Sequence, residues 1–128
     1  MENLNIEEGD KTPSFNFNAQ SGILEIAGRS WPEHVLQIYD PAFKWVEEYS
    51  QNPAPKTIVN LRMEYFNTSS AKIVLDLLKK IDNTLSQKGH PVEINWYFEA
   101  DDPDLKEQGV IIKNVLQSPV NLIEVEEF

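Results

Sequence analysis

A chain of 128 residues with 21 Asp+Glu against 11 Lys+Arg, a net charge of -10 and no cysteine is bounded before any motif is read. The length fits one domain, and the missing thiols exclude disulfides, thiolate zinc sites and a cysteine nucleophile. The acidic balance argues against nucleic acid and against an anionic membrane surface, because both are bound through basic patches.

Residues 1–12 are polar and acidic, with Leu4 and Ile6 as scattered apolar positions, and read as a loosely ordered N-terminal arm of a single domain spanning 1–128. From Ser14 the pattern alternates. Phe15 and Phe17 point one way, and Leu24 and Ile26 repeat this after a Gly22-bearing loop, so a β-hairpin is expected, ended by Gly28. The stretch 31–51 is helical in character but contains Pro41. Proline suits the first helical position and breaks an interior, and Asp40 is a good cap directly before it. The helix is therefore expected over 40–51, with Trp31–Tyr39 as an irregular lead-in.

A strand over 56–66 follows, with Val59, Leu61, Met63 and Tyr65 alternating with Asn60, Arg62 and Glu64. A helix over 68–88 carries Val74, Leu77, Leu78, Ile81 and Leu85 at helical spacing and stops at Gly89. A strand at 91–98, a helix from Pro103 to about Gln117 and a last strand at Val120–Val125 complete the chain. Strand–helix–strand units cross over right-handedly and make parallel neighbours. Strands buried on both faces would be continuously apolar, whereas most of these alternate. The fold class is therefore α/β, a mixed sheet of about five strands with helices mostly on one face.

No apolar run approaches a membrane span, and the start MENLNIEEGD lacks the basic and apolar regions of a signal peptide. A cytoplasmic domain is expected, monomeric when free, with proteins or small molecules as partners. No cofactor or metal is expected. His34 and His90 have no HxH or HExxH neighbour, and the acidic run Asp101, Asp102, Asp104, Glu107 lacks the spacing of a calcium loop. With no nucleophile–base pair in view, the protein is not expected to be an enzyme.

The segment Tyr65-Phe66-Asn67-Thr68-Ser69-Ser70-Ala71-Lys72 joins the best strand to the best helix. One side chain suffices to cap a helix, with Asn67 or Thr68 accepting from a free backbone N–H. The surplus hydroxyls invite a second role. A phosphate there would sit at the positive end of the helix dipole and add about 1.5–2 negative charges to an already acidic protein.

That segment also carries a resemblance. Together with Thr12-Pro13-Ser14, Gly22 to Ser30, Pro32-Glu33, Pro41, Trp45, Glu47-Glu48-Tyr49 and Trp96-Tyr97, it resembles the SiaC-like bacterial regulatory phosphoproteins, over about Thr12 to Val120. The resemblance implies a STAS-like fold and a partner-switching function in biofilm signalling. It implies that Thr68 is phosphorylated by a Ser/Thr kinase of the histidine-kinase-like ATPase type and cleared by a PP2C-type phosphatase. The unphosphorylated form would bind and activate a diguanylate cyclase and so raise cyclic di-GMP. The more distant STAS antagonists, with Asp-Ser-Ser-Gly, would make Ser69 the acceptor, which is the second choice here. Asn67, Ser69, Ser70, Lys72, Trp31 and Glu33 are expected around the phosphosite and at the partner interface. The alternative is a STAS-like adaptor or anti-sigma-antagonist type of module that is never phosphorylated.

Overall fold

The computed structural model describes residues 1–128. Its strands are β1 (Leu4–Ile6), β2 (Ser14–Asn18), β3 (Ile23–Ser30), β4 (Thr57–Phe66), β5 (Val92–Glu99) and β6 (Val120–Val125). Its helices are α1 (Val35–Tyr49), α2 (Thr68–Leu85) and α3 (Pro103–Val115), and a 3-10 turn, Ser86–Lys88, extends α2.

The six strands lie in one sheet in chain order, β1-β2-β3-β4-β5-β6. β1, β2 and β3 pair antiparallel, and β3 to β6 pair in parallel. Each parallel pair is joined by one helix, as a crossover requires. The period-2 pattern decides which face is covered. Leu24, Val59, Ile94 and Val120 stand in one row, and Ile26, Leu61 and Trp96 in the next, all buried. The helices pack on this side through Tyr39, Trp45, Val46, Val74, Leu77, Leu78, Leu105 and Ile112.

The other face stays polar. Asn60, Asn95 and Asn121 stand side by side across β4, β5 and β6. The Asn95 side-chain amide donates to Asn60 at 2.9 Å, and that of Asn121 donates to Asn95 at 3.0 Å. Beside this row the Arg62 guanidinium lies 4.2 Å from the Tyr97 ring centroid.

The sheet has six strands where about five were expected. The arm accounts for the difference. Leu4 and Ile6 pair opposite Phe17 and Phe15, and the Trp45 indole N–H donates to the Glu2 carbonyl at 2.9 Å. Two apolar residues at alternate positions are enough to dock three residues of the arm as an edge strand.

The first helix also differs. It begins at Val35, not Asp40, and Pro41 lies inside it. Proline removes the bond to the carbonyl of Gln37, four residues back, and Gln37 is exposed. Against that loss stands Tyr39, fully buried and hydrogen-bonded to Ser30. Tertiary anchoring of the first turns outweighs the local preference of proline. The later helices follow the sequence closely. Asp102 caps α3 by accepting from the Leu105 N–H at 3.0 Å, Pro103 opens that helix, and Gly89 stops the turn after α2 in the left-handed region at φ 83°.

No helix is long and apolar enough to cross a membrane.

Candidate functional site

Helix α2 starts at the end of β4, and its cap is local. Asn67 has extended backbone, and its side-chain oxygen accepts from the Ser70 N–H at 2.9 Å. The Asn67 N–H donates to the Ser30 carbonyl at 3.0 Å, which ties the turn to the end of β3. A helix begins with four N–H groups that have no acceptor in a preceding turn. Asn67 and Ser70 are thereby satisfied, which leaves the N–H groups of Thr68 and Ser69 as the donors facing outward. Both of these residues are exposed.

Ser70 behaves differently from its neighbours. It was grouped with the surface of the site, but it is fully buried. Its hydroxyl lies 2.7 Å from that of Ser30, which accepts from the Tyr39 hydroxyl at 2.8 Å. This chain of three buried hydroxyls links β3, α1 and α2 beneath the exposed turn. Burial pushes the Tyr39 phenol up to about 12, with the bonds to Ser30 and Ser70 pulling the other way. Ser70 therefore supports the site from below and takes no part in its surface.

Thr68 and Ser69 open onto opposite sides of α2. Thr68 lines a cleft with Tyr65, Asn67, Ala71 and, from the start of α3, Asp102, Asp104 and Gln108. Ser69 lines a separate depression with Val35 and Leu36 of α1 and with Lys72, Ile73 and Asp76. The helical repeat of 100° per residue accounts for the division. Thr68 faces two aspartates, whereas Ser69 faces an apolar wall and Lys72, which holds an ion pair with Asp76 at 3.9 Å.

Exposed apolar side chains surround this end of the molecule. Leu36 is 73% exposed, Tyr65 53% and Trp31 47%. Trp31 is held in place nonetheless. Its backbone N–H donates to the Lys11 carbonyl at 2.9 Å, its indole N–H donates to the Asp10 carbonyl at 3.3 Å, and the Lys11 ammonium lies 5.6 Å from its ring. Glu33 is exposed in the link between β3 and α1. Large exposed hydrophobics clustered at one end mark an interaction surface more often than chance. Leu36 was not singled out in the sequence, and Tyr65 stands there in one row with Val59, Leu61 and Met63, yet those three are buried and Tyr65 is exposed.

No group of three or more His, Asp or Glu side chains stands close enough to hold a metal ion. His34 precedes α1, where its side chain makes no capping bond.

A capped helix start with two accessible hydroxyls, set among exposed apolar side chains on a one-faced mixed sheet, defines a partner-binding regulatory domain. The family model for SiaC family regulatory phosphoproteins matches residues 6–125, and the chain belongs to that family. An uncharacterized protein of Pseudomonas aeruginosa is 30% identical over 99 residues, 77% of this chain and 78% of its own length. The crystal structure of apo-SiaC from Pseudomonas aeruginosa superposes with a TM-score of 0.86 at 27% identity, covering 96% of this chain and 99% of that one. SiaC in the crystal structure of the diguanylate cyclase SiaD with its activator SiaC superposes with a TM-score of 0.88 at 25% identity, covering 95% of this chain and 99% of that one.

Proposed function

We propose that this protein is a phosphorylation-controlled, cytoplasmic regulator that binds and activates a diguanylate cyclase when its Thr68 hydroxyl is free. The observation that carries the reading is the exposed Thr68 at the free N–H groups of α2, in one cleft with the exposed Tyr65, in a chain whose structural relative is a cyclase activator. A partner docks over the start of α2 and the adjoining Trp31–Tyr39 segment. Asn67, Ser69, Lys72 and Glu33 lie within or beside that footprint.

A kinase of the histidine-kinase-like ATPase type places a phosphate on Thr68, and a PP2C-type phosphatase removes it. The phosphate gains the N–H donors and dipole of α2. It also meets Asp102 and Asp104 across the cleft. In the free protein water screens that repulsion. Under a docked partner the phosphate must be stripped of water, which costs several kcal/mol and suffices to switch binding off. Release of the phosphoprotein lowers cyclic di-GMP synthesis and with it aggregation or biofilm growth.

The cognate kinase and the diguanylate cyclase of the same genome test this. Mass spectrometry is expected to find the phosphate on Thr68. Thr68→Ala is expected to activate the cyclase constitutively, and Thr68→Glu to lose activation. Because Asn67, not Thr68, caps α2, Thr68→Ala leaves the cap in place. Phosphate found on Ser69 alone moves the site to the α1 side. Absence of any incorporated phosphate, with cyclase binding indifferent to both variants, sinks the switch and leaves a constitutive adaptor.

A further inference from the structure

Trp31 is the one exposed tryptophan of three; Trp45 and Trp96 are buried. An exposed indole on a loop ordinarily samples several rotamers. This one is tied. Its backbone N–H donates to the Lys11 carbonyl at 2.9 Å and its indole N–H to the Asp10 carbonyl at 3.3 Å. The Lys11 ammonium adds a third contact, 5.6 Å from the ring centroid. All three partners belong to the N-terminal arm.

The arm is itself fastened on both sides of them. At its start the Trp45 indole N–H donates to the Glu2 carbonyl, the Ala19 N–H donates to the Asn3 side-chain oxygen at 2.9 Å, and β1 pairs with β2. Beyond β1 the Glu8 carboxylate lies against Gly28, where a Cβ would stand 2.5 Å from its Oε2. Gly28 also has φ 105°, so glycine is required there twice over. The loop then tightens, because the Gly9 N–H donates to the Thr12 carbonyl and to the Thr12 hydroxyl, both at 3.0 Å. Asp10 and Lys11 lie inside that bracket, and their carbonyls are held toward Trp31.

Trp31 adjoins the turn that carries Thr68. It follows Ser30, whose carbonyl accepts from the Asn67 N–H at the start of α2. Tyr65 reaches the same end by a different route. The pairing of β3 with β4 shifts by one residue after Gly28, so that Tyr65, not Glu64, stands opposite Arg29. Beyond the shift Phe66 packs on Trp96 in the core and Tyr65 turns out to water.

We propose that the N-terminal arm is a positioning element of the partner-binding surface: Asp10 and Lys11 fix Trp31 in one pose, and the fixed indole anchors the diguanylate cyclase. An aromatic side chain ordered before the encounter gives its contact area without an ordering cost on binding. The inference rests on the reading of the protein as a cyclase activator and adds to it a role for residues 1–12.

The test is a double-mutant cycle on the full-length chain, with the purified diguanylate cyclase of its own genome and affinity read by calorimetry. Leu4→Asp with Ile6→Asp releases β1, and circular dichroism checks that the rest stays folded. Trp31→Ala is expected to weaken binding by about tenfold or more, and arm release by about two- to tenfold. The two combined are expected to bind no more weakly than Trp31→Ala alone. Where the release variant fails to fold, Lys11→Ala, which leaves β1 docked, takes its place in the cycle; alone it is expected to weaken binding by about two- to fivefold. Labelling with fluorotryptophan gives a second reading. Arm release is expected to move the fluorine resonance of Trp31 toward that of free tryptophan and to leave that of Trp96 in place. Losses that multiply in the combined variant, or a Trp31 resonance that arm release leaves unmoved, overturn the positioning role. Trp31→Ala that binds like the wild type overturns the anchor and leaves the activator reading intact. A wild-type protein that binds no cyclase removes the activator reading and this inference with it.

Discussion

Replacing Tyr39 by phenylalanine tests whether the buried hydroxyl chain carries stability that depends on pH. The folded protein raises this phenol from 10.0 to about 12, chiefly because burial penalises the phenolate. A raised pKa means that the folded state holds its proton more tightly than the unfolded chain does. The linked stability is therefore complete below pH 10 and is lost as pH rises through 10 to 12. Two units correspond to roughly 3 kcal/mol in full, of which about half is lost by pH 11. At neutral pH the phenylalanine variant forfeits one hydrogen bond, about 1 kcal/mol, because Ser30 keeps its contact with Ser70. Urea denaturation of both proteins at intervals from pH 8 to 11 reads both quantities. The wild type is expected to start the more stable and to lose that lead as pH rises. Parallel stability–pH curves would falsify the assignment of the alkaline loss to Tyr39.

Asn67→Ala removes the cap of α2 and is expected to lower stability by about 1 kcal/mol, seen as an earlier urea midpoint. Gly109→Ala is expected to cost about 1–3 kcal/mol, because a Cβ there would meet Trp96 Cδ1 at 2.5 Å and Leu122 Cδ2 at 2.7 Å. A thermal melt unchanged by that substitution would show that α3 has room to lift from β5. Asp82→Ala strands two N–H groups and a hydroxyl, and about 3 kcal/mol of destabilisation is expected. Hydrogen exchange at Gln117 and Ser118 should quicken with it; unchanged protection there contradicts a carboxylate clasp.

The sequence was most informative where one local rule acted alone. Alternation in 57–66 and 92–99, helical periodicity in α2, and Pro103 after Asp102 each specify an element without help from elsewhere. It was least informative where distant groups decide. The start of α1 depends on Tyr39 reaching Ser30, and β1 depends on Phe15 and Phe17 being present to receive Ile6 and Leu4. The hydroxyl-rich turn was legible as a helix start, but its inner order was not. Three adjacent residues with nearly the same chemistry point in three directions: Thr68 toward α3, Ser69 toward α1 and Ser70 into the core. Only the phase of the helix against its neighbours separates them. The exposure of Ile111 and Val115 was likewise hidden, since in sequence they look like the core residues Leu105 and Ile112.

The amide row on the polar face reaches further than the face itself. Asparagine is a poor strand residue, and three in register, each bonded to the next, resist sliding of one strand past another. A slip of one residue in β5 would break both amide bonds and send Asn95 and Tyr97 toward the helices, with Trp96 turned out to water. The same slip would carry along the end of β5, from which the chain turns into α3. The side of the sheet that touches no helix therefore acts as the gauge that sets the spacing of the helices on the other.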